Sequence, residues 1–204
     1  MRHFGAVALG LLFLAGVVLA IGVGWFTPSA GAADQAKADQ AAARDREVRD
    51  LVASLNNAEF NAFNAFNALK DPKHRVAIEK LQKMSEHAAP AIATMLAEGH
   101  KNRKEPKGWI QVYRPLYILK GMGEHAKVAM PDVIKALDDQ YGPVAGAAAE
   151  VLGSIGPAAK GALPDLLRVW EKSRKIPGRP GATKALADAL KKIDPEAAEK
   201  AGIK

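Results

Sequence analysis

The sequence predicts an all-α fold, a short α-solenoid of about four helical hairpins with an N-terminal capping helix. Three observations support this prediction. The chain of 204 residues contains 40 alanines and only 6% aromatic residues, a composition that favours helices. One stretch of sequence recurs at an offset of 33 residues, a period typical of stacked helical hairpins. Prolines also recur close to the positions where each hairpin would begin.

The first element is an apolar segment. Residues 4–26 contain no ionisable side chain, and Thr27-Pro28 follows where a helix would end. Small residues at Ala30 and Ala32 fit a signal-peptidase site, so residues 1–32 are predicted to be a signal peptide cleaved after Ala32. The same 23 apolar residues could also span a bilayer as a retained membrane anchor. Both alternatives predict an extracytoplasmic protein, periplasmic or secreted, or tethered to the membrane through residues 4–26.

Residues 33–70 form a predicted N-terminal helical extension. Up to Asp50 this stretch is rich in alanine, glutamine and both signs of charge, and a Phe-Asn-Ala triplet then occurs three times. Phe60, Phe63 and Phe66 are three residues apart and would share one helix face. We expect this face to cap the first repeat, and the alternative is that it docks a partner or a second copy of the chain.

Residues 71–204 carry the repeats. Residues 119–134 match residues 152–167, which aligns Gly123 with Gly156, and weaker copies lie upstream and downstream. In each unit, apolar residues at i and i+3 or i+4 predict a first helix, and an alanine-rich stretch with an early proline predicts a second. The predicted first helices are 72–84, 106–121, 143–154 and 181–193, and the second helices are 88–98, 125–138, 158–171 and 195–202.

The third unit resembles a known repeat. The segment from Ala149 to Leu167, AEVLGSIGPAAKGALPDLL, resembles a HEAT-like repeat, and the resemblance extends over roughly residues 72–203. Ser85 replaces the turn glycine in the first unit, Pro115 lies deep in a helix of the second, and the fourth has no full second helix. We interpret the short fourth unit as a terminal cap. The resemblance implies a curved α-solenoid that holds other macromolecules, and it implies no catalytic residue.

The residues with chemical potential fit structural roles. The absence of cysteine excludes disulfides, thiolate nucleophiles, zinc fingers and iron–sulfur clusters. The sequence GMGEHA at 121–126 matches a loose dinucleotide fingerprint, but a helix precedes it and Gly123 aligns with Gly156, so we interpret it as an interhelix turn. His87 and His125 would lie about 8–10 Å apart on adjacent repeats, too far to share a metal. The sequence therefore predicts a non-enzymatic protein without a metal or a cofactor.

One helix carries an aromatic ridge. Its members are spaced i, i+4 and i+8 and are Trp109, Tyr113 and Tyr117. When the repeats are aligned on their leucines, Tyr117 takes a position that is acidic in the other three units, which predicts that the ridge faces away from the stack. Outward aromatic side chains with polar tips are typical of binding surfaces. The alternative is that the phenylalanine-rich helix or a long loop covers the ridge.

Two connections concentrate the positive charge of a chain whose formal net charge is +7. Residues 99–107 contain four Lys or Arg against one Glu, and residues 168–184 contain six against one. Both connections join a second helix to the next first helix, so we expect them along one edge of the stack. The predicted basic binding residues are Lys101, Arg103, Lys104, Arg174, Lys175 and Arg179. Solvated loop charge and contact with an acidic or anionic partner both fit them.

These observations predict an exported scaffold that binds a protein partner through the solenoid surface, with the aromatic ridge as anchor and the basic loops attracting the partner. The alternative is a binder of an anionic polymer or lipid surface through the basic inter-repeat loops. Export across a membrane disfavours nucleic acid as that polymer. The identity of the partner does not follow from the residues.

Overall fold

The computed structural model describes residues 30–56, 71–176 and 180–203, and within these ranges the fold is all-α, as predicted. The helices are α1 (Ala30–Asn56), α2 (Pro72–Lys83), α3 (Ser85–Lys101), α4 (Trp109–Lys120), α5 (Met130–Leu137), α6 (Gly142–Ile155), α7 (Leu163–Arg174), α8 (Pro180–Ile193) and α9 (Pro195–Lys200). Two 3-10 segments, Gly123–Ala129 and Gly156–Ala162, precede α5 and α7.

Aspartates before a proline define the start of two helices. The Asp71 side chain accepts a hydrogen bond of 2.9 Å from the Lys73 backbone N–H at the start of α2. The Asp194 side chain accepts a hydrogen bond of 3.1 Å from the Ala197 backbone N–H at the start of α9. Each aspartate satisfies a backbone donor that has no partner within the helix, and the proline that follows has its φ already set for a helix.

The second helices of the middle two units differ from the prediction. Single helices over 125–138 and 158–171 were expected, but each is divided into a 3-10 segment and an α-helix. Pro131 and Pro164 then lie in the first turn of α5 and α7, where the missing N–H costs no helical hydrogen bond.

The turn glycines are confirmed by their backbone angles. Gly123 has φ 58° and Gly156 has φ 70°, in the left-handed region that glycine enters without steric cost. The predicted start of α4 at residue 106 is wrong, because Lys107 has φ 64° and so interrupts a right-handed helix. The connection over residues 102–108 therefore has its own turns before α4 begins at Trp109.

The hairpins pack in chain order. Each first helix contacts the next one, so α2 meets α4, α4 meets α6 and α6 meets α8. The second helices follow the same order, with α3 against α5 and α5 against α7. One apolar core of leucine, isoleucine, valine and alanine side chains runs through these contacts. Burial therefore depends on neighbouring hairpins, because a single amphipathic pair covers only part of its apolar surface.

The chain divides into two compact units, residues 1–37 and 38–204. Within the second unit, the C-terminal part of α1 joins the core through the buried side chains of Val48 and Leu55. Glu47 also forms an ion pair of 3.6 Å with Lys80 of α2. The predicted domain boundaries after residues 32 and 70 stay predictions.

None of the helices in the described ranges combines the length and the hydrophobicity needed to cross a membrane. The apolar segment 4–26 lies outside the described residues, and so do Phe60, Phe63 and Phe66. The signal peptide, the membrane anchor and the phenylalanine-rich capping helix therefore stay predictions.

Candidate functional site

The aromatic ridge is a continuous row of rings on α4. This helix buries the opposite face in the core and leaves Trp109, Tyr113 and Tyr117 half-buried. The ring centroids of Trp109 and Tyr113 are 6.3 Å apart with an edge-to-face tilt of 66°. Those of Tyr113 and Tyr117 are 6.5 Å apart with a tilt of 34°. The helical spacing thus aligns the three rings, and part of each residue is accessible.

Tyr141 extends the ridge from the neighbouring unit. It precedes α6, and its ring centroid lies 4.5 Å from that of Trp109 at a tilt of 44°. This contribution could not be predicted from the sequence, because spacing along a helix identifies only residues of the same helix. The short interval from Tyr141 to Pro143 places the tyrosine at a helix start, but it does not reveal which ring it meets.

The central phenol of the ridge is held in its neutral form. Burial raises the pKa of Tyr113 to about 12, and the nearby Glu150 carboxylate adds to the effect by disfavouring a phenolate. Glu150 itself forms an ion pair of 2.8 Å with Lys120. At neutral pH Tyr113 is therefore a polar, uncharged part of the ridge.

A groove of about 330 Å³ lies at the Tyr117 end of the ridge, between α2 and α4. Gln82 crosses its wall and donates a hydrogen bond of 3.2 Å from Nε2 to the Ile118 carbonyl. A Cβ at Gly121 would overlap the Gln82 side chain, so a glycine is needed for this crossing. The lining combines apolar, aromatic and charged side chains: Arg75, Ile78, Glu79, Gln82, Tyr117, Lys120 and Gly121.

The positions equivalent to Tyr117 in the neighbouring units are accessible to solvent. The side chains of Glu79 and Glu150 are about half exposed and lie on α2 and α6. The position equivalent to Tyr113 is less uniform, because Arg75 is exposed but Gly146 is buried against Ala182 of α8.

The predicted basic residues differ in their surroundings. Lys101 Nζ forms an ion pair of 2.7 Å with Glu98 Oε1. The Arg174 guanidinium carbon lies 4.6 Å from the centroid of the Trp170 ring. Lys104 and Lys175 are exposed and form no ion pair with any described residue. Arg103 pairs with Asp139 of the connection 138–141. Arg179 lies outside the described residues.

The acidic connection 138–141 is bonded from both sides. Arg103 donates from Nε to Asp139 Oδ2 at 2.6 Å and from Nη2 to Oδ1 at 2.7 Å. Arg168 of α7 donates to both carboxylate oxygens of Asp138, at 2.9 and 2.6 Å. These bonds raise the pKa of Arg103 and lower that of Asp138. The two aspartates therefore directly neutralise Arg103, one of the predicted basic binding residues, and Arg168.

Arg114 is a buried charge that the sequence analysis also missed. It is 3% exposed, and its Nη1 donates 2.8 Å to the Leu55 carbonyl at the end of α1. Burial lowers its pKa to about 10. A cation suits this position because the carbonyls at a helix C-terminus carry partial negative charge. The signal in the sequence was its spacing, since Arg114 lies on the same helical stripe as the buried Ile110 and Ile118.

The remaining candidate residues are those that could hold a metal ion. Among the residues described, no cluster of three or more His, Asp or Glu side chains is arranged to hold a metal ion. His87 and His125 are exposed, on α3 and on the first 3-10 segment.

Comparison with known proteins assigns no family. No protein-family model matches this chain, and no curated protein is significantly similar to it.

Proposed function

We propose that this protein is an exported, non-enzymatic scaffold of the HEAT-like α-solenoid type that binds a protein partner through the aromatic ridge. The observation that carries the proposal is the continuity of the half-buried rings with the groove beside Tyr117. Together they offer a partner a row of aromatic rings and an adjoining concave site.

Two structural features support the HEAT-like assignment. The turn glycines Gly123 and Gly156 share a positive φ at an offset of 33 residues. First helices pack on first helices and second helices on second helices, in chain order. This nearest-neighbour packing is typical of α-solenoids, whose extended surfaces bind other proteins.

The composition of the surface favours a protein over a polyanion. Tyrosine and tryptophan give large contact area with few rotatable bonds, and they are enriched where binding energy concentrates. The groove rim carries both signs of charge, from Arg75, Glu79 and Lys120. Of the five predicted basic residues that are described, Lys101, Arg103 and Arg174 have acidic partners within the chain.

The alternative is binding to an anionic polymer or lipid surface through the basic loops. The exposed Lys104 and Lys175 support it. Such binding would weaken steeply with added salt, because it depends on the release of counterions or on screened attraction. Replacement of both lysines by glutamine should then abolish binding to heparin or to anionic vesicles, whereas Tyr117→Glu should leave it unchanged.

The leading proposal can be tested by site-specific photo-crosslinking. A benzoylphenylalanine at Lys120, on the groove rim, should crosslink the partner in cells, and the same probe at the exposed Val128 serves as the control. The crosslinked protein is then identified, purified and used for calorimetric titration of the full chain. Equal crosslinking at both positions would contradict a site beside Tyr117.

Tyr117→Glu is the matched variant for that titration. The neighbouring units already carry Glu79 and Glu150 at the equivalent position, so we expect the fold to accept the change. Loss of a central aromatic anchor should weaken binding about 30-fold, which corresponds to about 2 kcal/mol. Val128→Ala should have no effect. Unchanged affinity of Tyr117→Glu would contradict the proposed site.

The proposed export is tested by the intact mass of the native protein. Cleavage after Ala32 removes a segment that a membrane anchor would retain, so the two forms differ by 32 residues. Recovery of the uncleaved chain from the cytosol would contradict both the cleaved signal peptide and the retained membrane anchor.

A further inference from the structure

The contact between Trp109 and Tyr141 depends on two connections. Trp109 is the first residue of α4 and follows the connection 102–108, while Tyr141 ends the connection 138–141 and precedes α6. Their rings are the closest pair measured in the extended ridge, with centroids 4.5 Å apart. The relative position of the two rings therefore depends on how these two connections are held together.

The first connection is compact. Backbone N–H groups of Glu105 and Gly108 donate to Asn102 and Glu105 at 3.1 and 2.8 Å. A Cβ at Gly108 would collide with the Asn102 carbonyl, so the chain turns tightly just before Trp109. The position of Trp109 is thus coupled to that of the nearby Arg103 through a short, hydrogen-bonded segment.

The second connection is bonded to the first through one carboxylate. Arg103 contacts both oxygens of Asp139, whose side chain is 7% exposed. Asp139 Oδ1 also accepts the backbone N–H of Tyr141 at 2.8 Å. One carboxylate therefore orients both the arginine and the backbone that carries the tyrosine. Charge-assisted, bidentate bonds of this kind are among the strongest and most directional that side chains form.

We propose that Arg103 is a positioning residue for the aromatic ridge, which acts through Asp139 to hold Tyr141 against Trp109. This inference rests on the proposed function only in giving the ridge its role in binding. It changes the role predicted for Arg103, from a contact with the partner to an organiser of the surface that the partner meets. A lysine cannot replace the arginine fully, because an ammonium group cannot make two parallel bonds to one carboxylate.

The test uses the full chain labelled with 5-fluorotryptophan and observed by ¹⁹F NMR. The Trp109 and Trp170 resonances are assigned with Trp109→Phe and Trp170→Phe. Arg103→Gln should shift or broaden the Trp109 resonance, and Arg103→Lys should change it less. The Trp170 resonance should stay unchanged and so report that the fold is intact. If Arg103→Gln does not fold, Arg103→Lys is compared with Asp139→Asn, and the same direction is expected.

Arg168→Gln is the matched control. Arg168 makes a similar two-oxygen contact with Asp138 of the same connection, but Asp138 makes no hydrogen bond to Tyr141 among the contacts described. The Trp109 resonance should therefore be unaffected. An unchanged resonance in Arg103→Gln, or an equal change in Arg168→Gln, would overturn the inference.

The route through Tyr141 is tested separately. In a Tyr141→Ala background, Arg103→Gln should cause a smaller change in the Trp109 resonance than it does in the natural chain. An undiminished change would show that Arg103 acts on Trp109 by another route and would overturn the proposal. This readout needs no partner, so the partner-binding function and the positioning role of Arg103 can fail independently.

Discussion

Two interfaces between first helices of this protein are built differently. In the α6–α8 contact, Gly146 and Gly153 lie against Ala182 and Ala189. A Cβ added at Gly153 would lie only 3.1 Å from the Ala189 Cα. In the α2–α4 contact, the long Gln82 side chain crosses between the helices, and a groove of about 330 Å³ remains.

The difference shows how one helical array combines a close-packed contact with an open groove. Small residues let helices approach until backbone meets backbone, which leaves no room for a ligand. A long polar side chain and a row of aromatic rings instead leave a concave surface beside α4. The candidate site therefore lies where the side chains depart most from the small-residue pattern of the third unit.

The largest expected effect comes from enlarging a residue in the close contact. Gly153→Leu should lower the free energy of unfolding by about 3 kcal/mol, because the Ala189 backbone cannot yield as a flexible side chain would. Urea denaturation followed by circular dichroism measures the loss.

Gly146→Ala is the control in the same contact. Its Cβ would lie 3.5 Å from the Ala182 Cα, an ordinary contact distance. We expect no loss of stability, and a gain of up to about 1 kcal/mol from the higher helix propensity of alanine. Equal losses in the two glycine variants would contradict the account of α6–α8 packing.

The next largest effect is the loss of stability when either of the two arginine–aspartate pairs at the connections is broken. Arg103→Gln should reduce stability by about 2 kcal/mol, because it leaves the buried Asp139 carboxylate without its bidentate donor. Arg168→Gln should cost less than about 1 kcal/mol, because that pair is about half exposed. The denaturation midpoints of both variants check this order, and a reversed order would refute the argument from burial.

A smaller effect is expected in the open contact. Gly121→Ala should cost about 1 kcal/mol, since the new methyl group displaces Gln82 from the Ile118 carbonyl. Gln82→Ala alone should cost a similar amount, and the double variant should cost less than the sum of the two. Additive losses in this double-mutant cycle would show that the two residues are not coupled.

The smallest effect concerns pH. The hydrogen bonds from Arg168 lower the pKa of Asp138 below its ordinary value of 3.8. The pair therefore stabilises the fold fully above about pH 4, and this contribution is lost as the pH falls through the lowered pKa. Its size should be under about 1 kcal/mol, because both side chains are about half exposed. Asp138→Asn should flatten the acid side of the stability profile, and an unaltered profile would contradict the assignment.

Local periodicity explains what the sequence could predict. The turn glycines Gly123 and Gly156 could be predicted because the second and third units repeat the same turn sequence. The ridge could be predicted because i, i+4 spacing aligns side chains within one helix. Arg103 and Asp139 were not paired in advance, although they are 36 residues apart, close to one repeat length. Such pairing depends on how two connections approach each other in space.

The reach of long side chains was the second property that could not be predicted from the sequence. Gln82 lies on α2 at a position with no strong pattern, and its reach across Gly121 follows from the distance between two helices. The split of the second helices had a local signal in Pro131 and Pro164, but the prediction treated those prolines as tolerable inside a longer helix. The function, the export signal and the HEAT-like assignment stay predictions made from the sequence.

The matched turns at Gly123 and Gly156 also make the chain modular. The residue before each glycine, Met122 or Ile155, has a right-handed helical backbone, and each glycine has a positive φ. Removal of residues 123–155 would join Met122, at φ −93° and ψ −8°, to Gly156 in place of Ile155, at φ −66° and ψ −31°, and would keep a right-handed residue followed by a glycine of positive φ. Deletion of this one 33-residue period would therefore shorten the chain by one hairpin and preserve the turn between its neighbours.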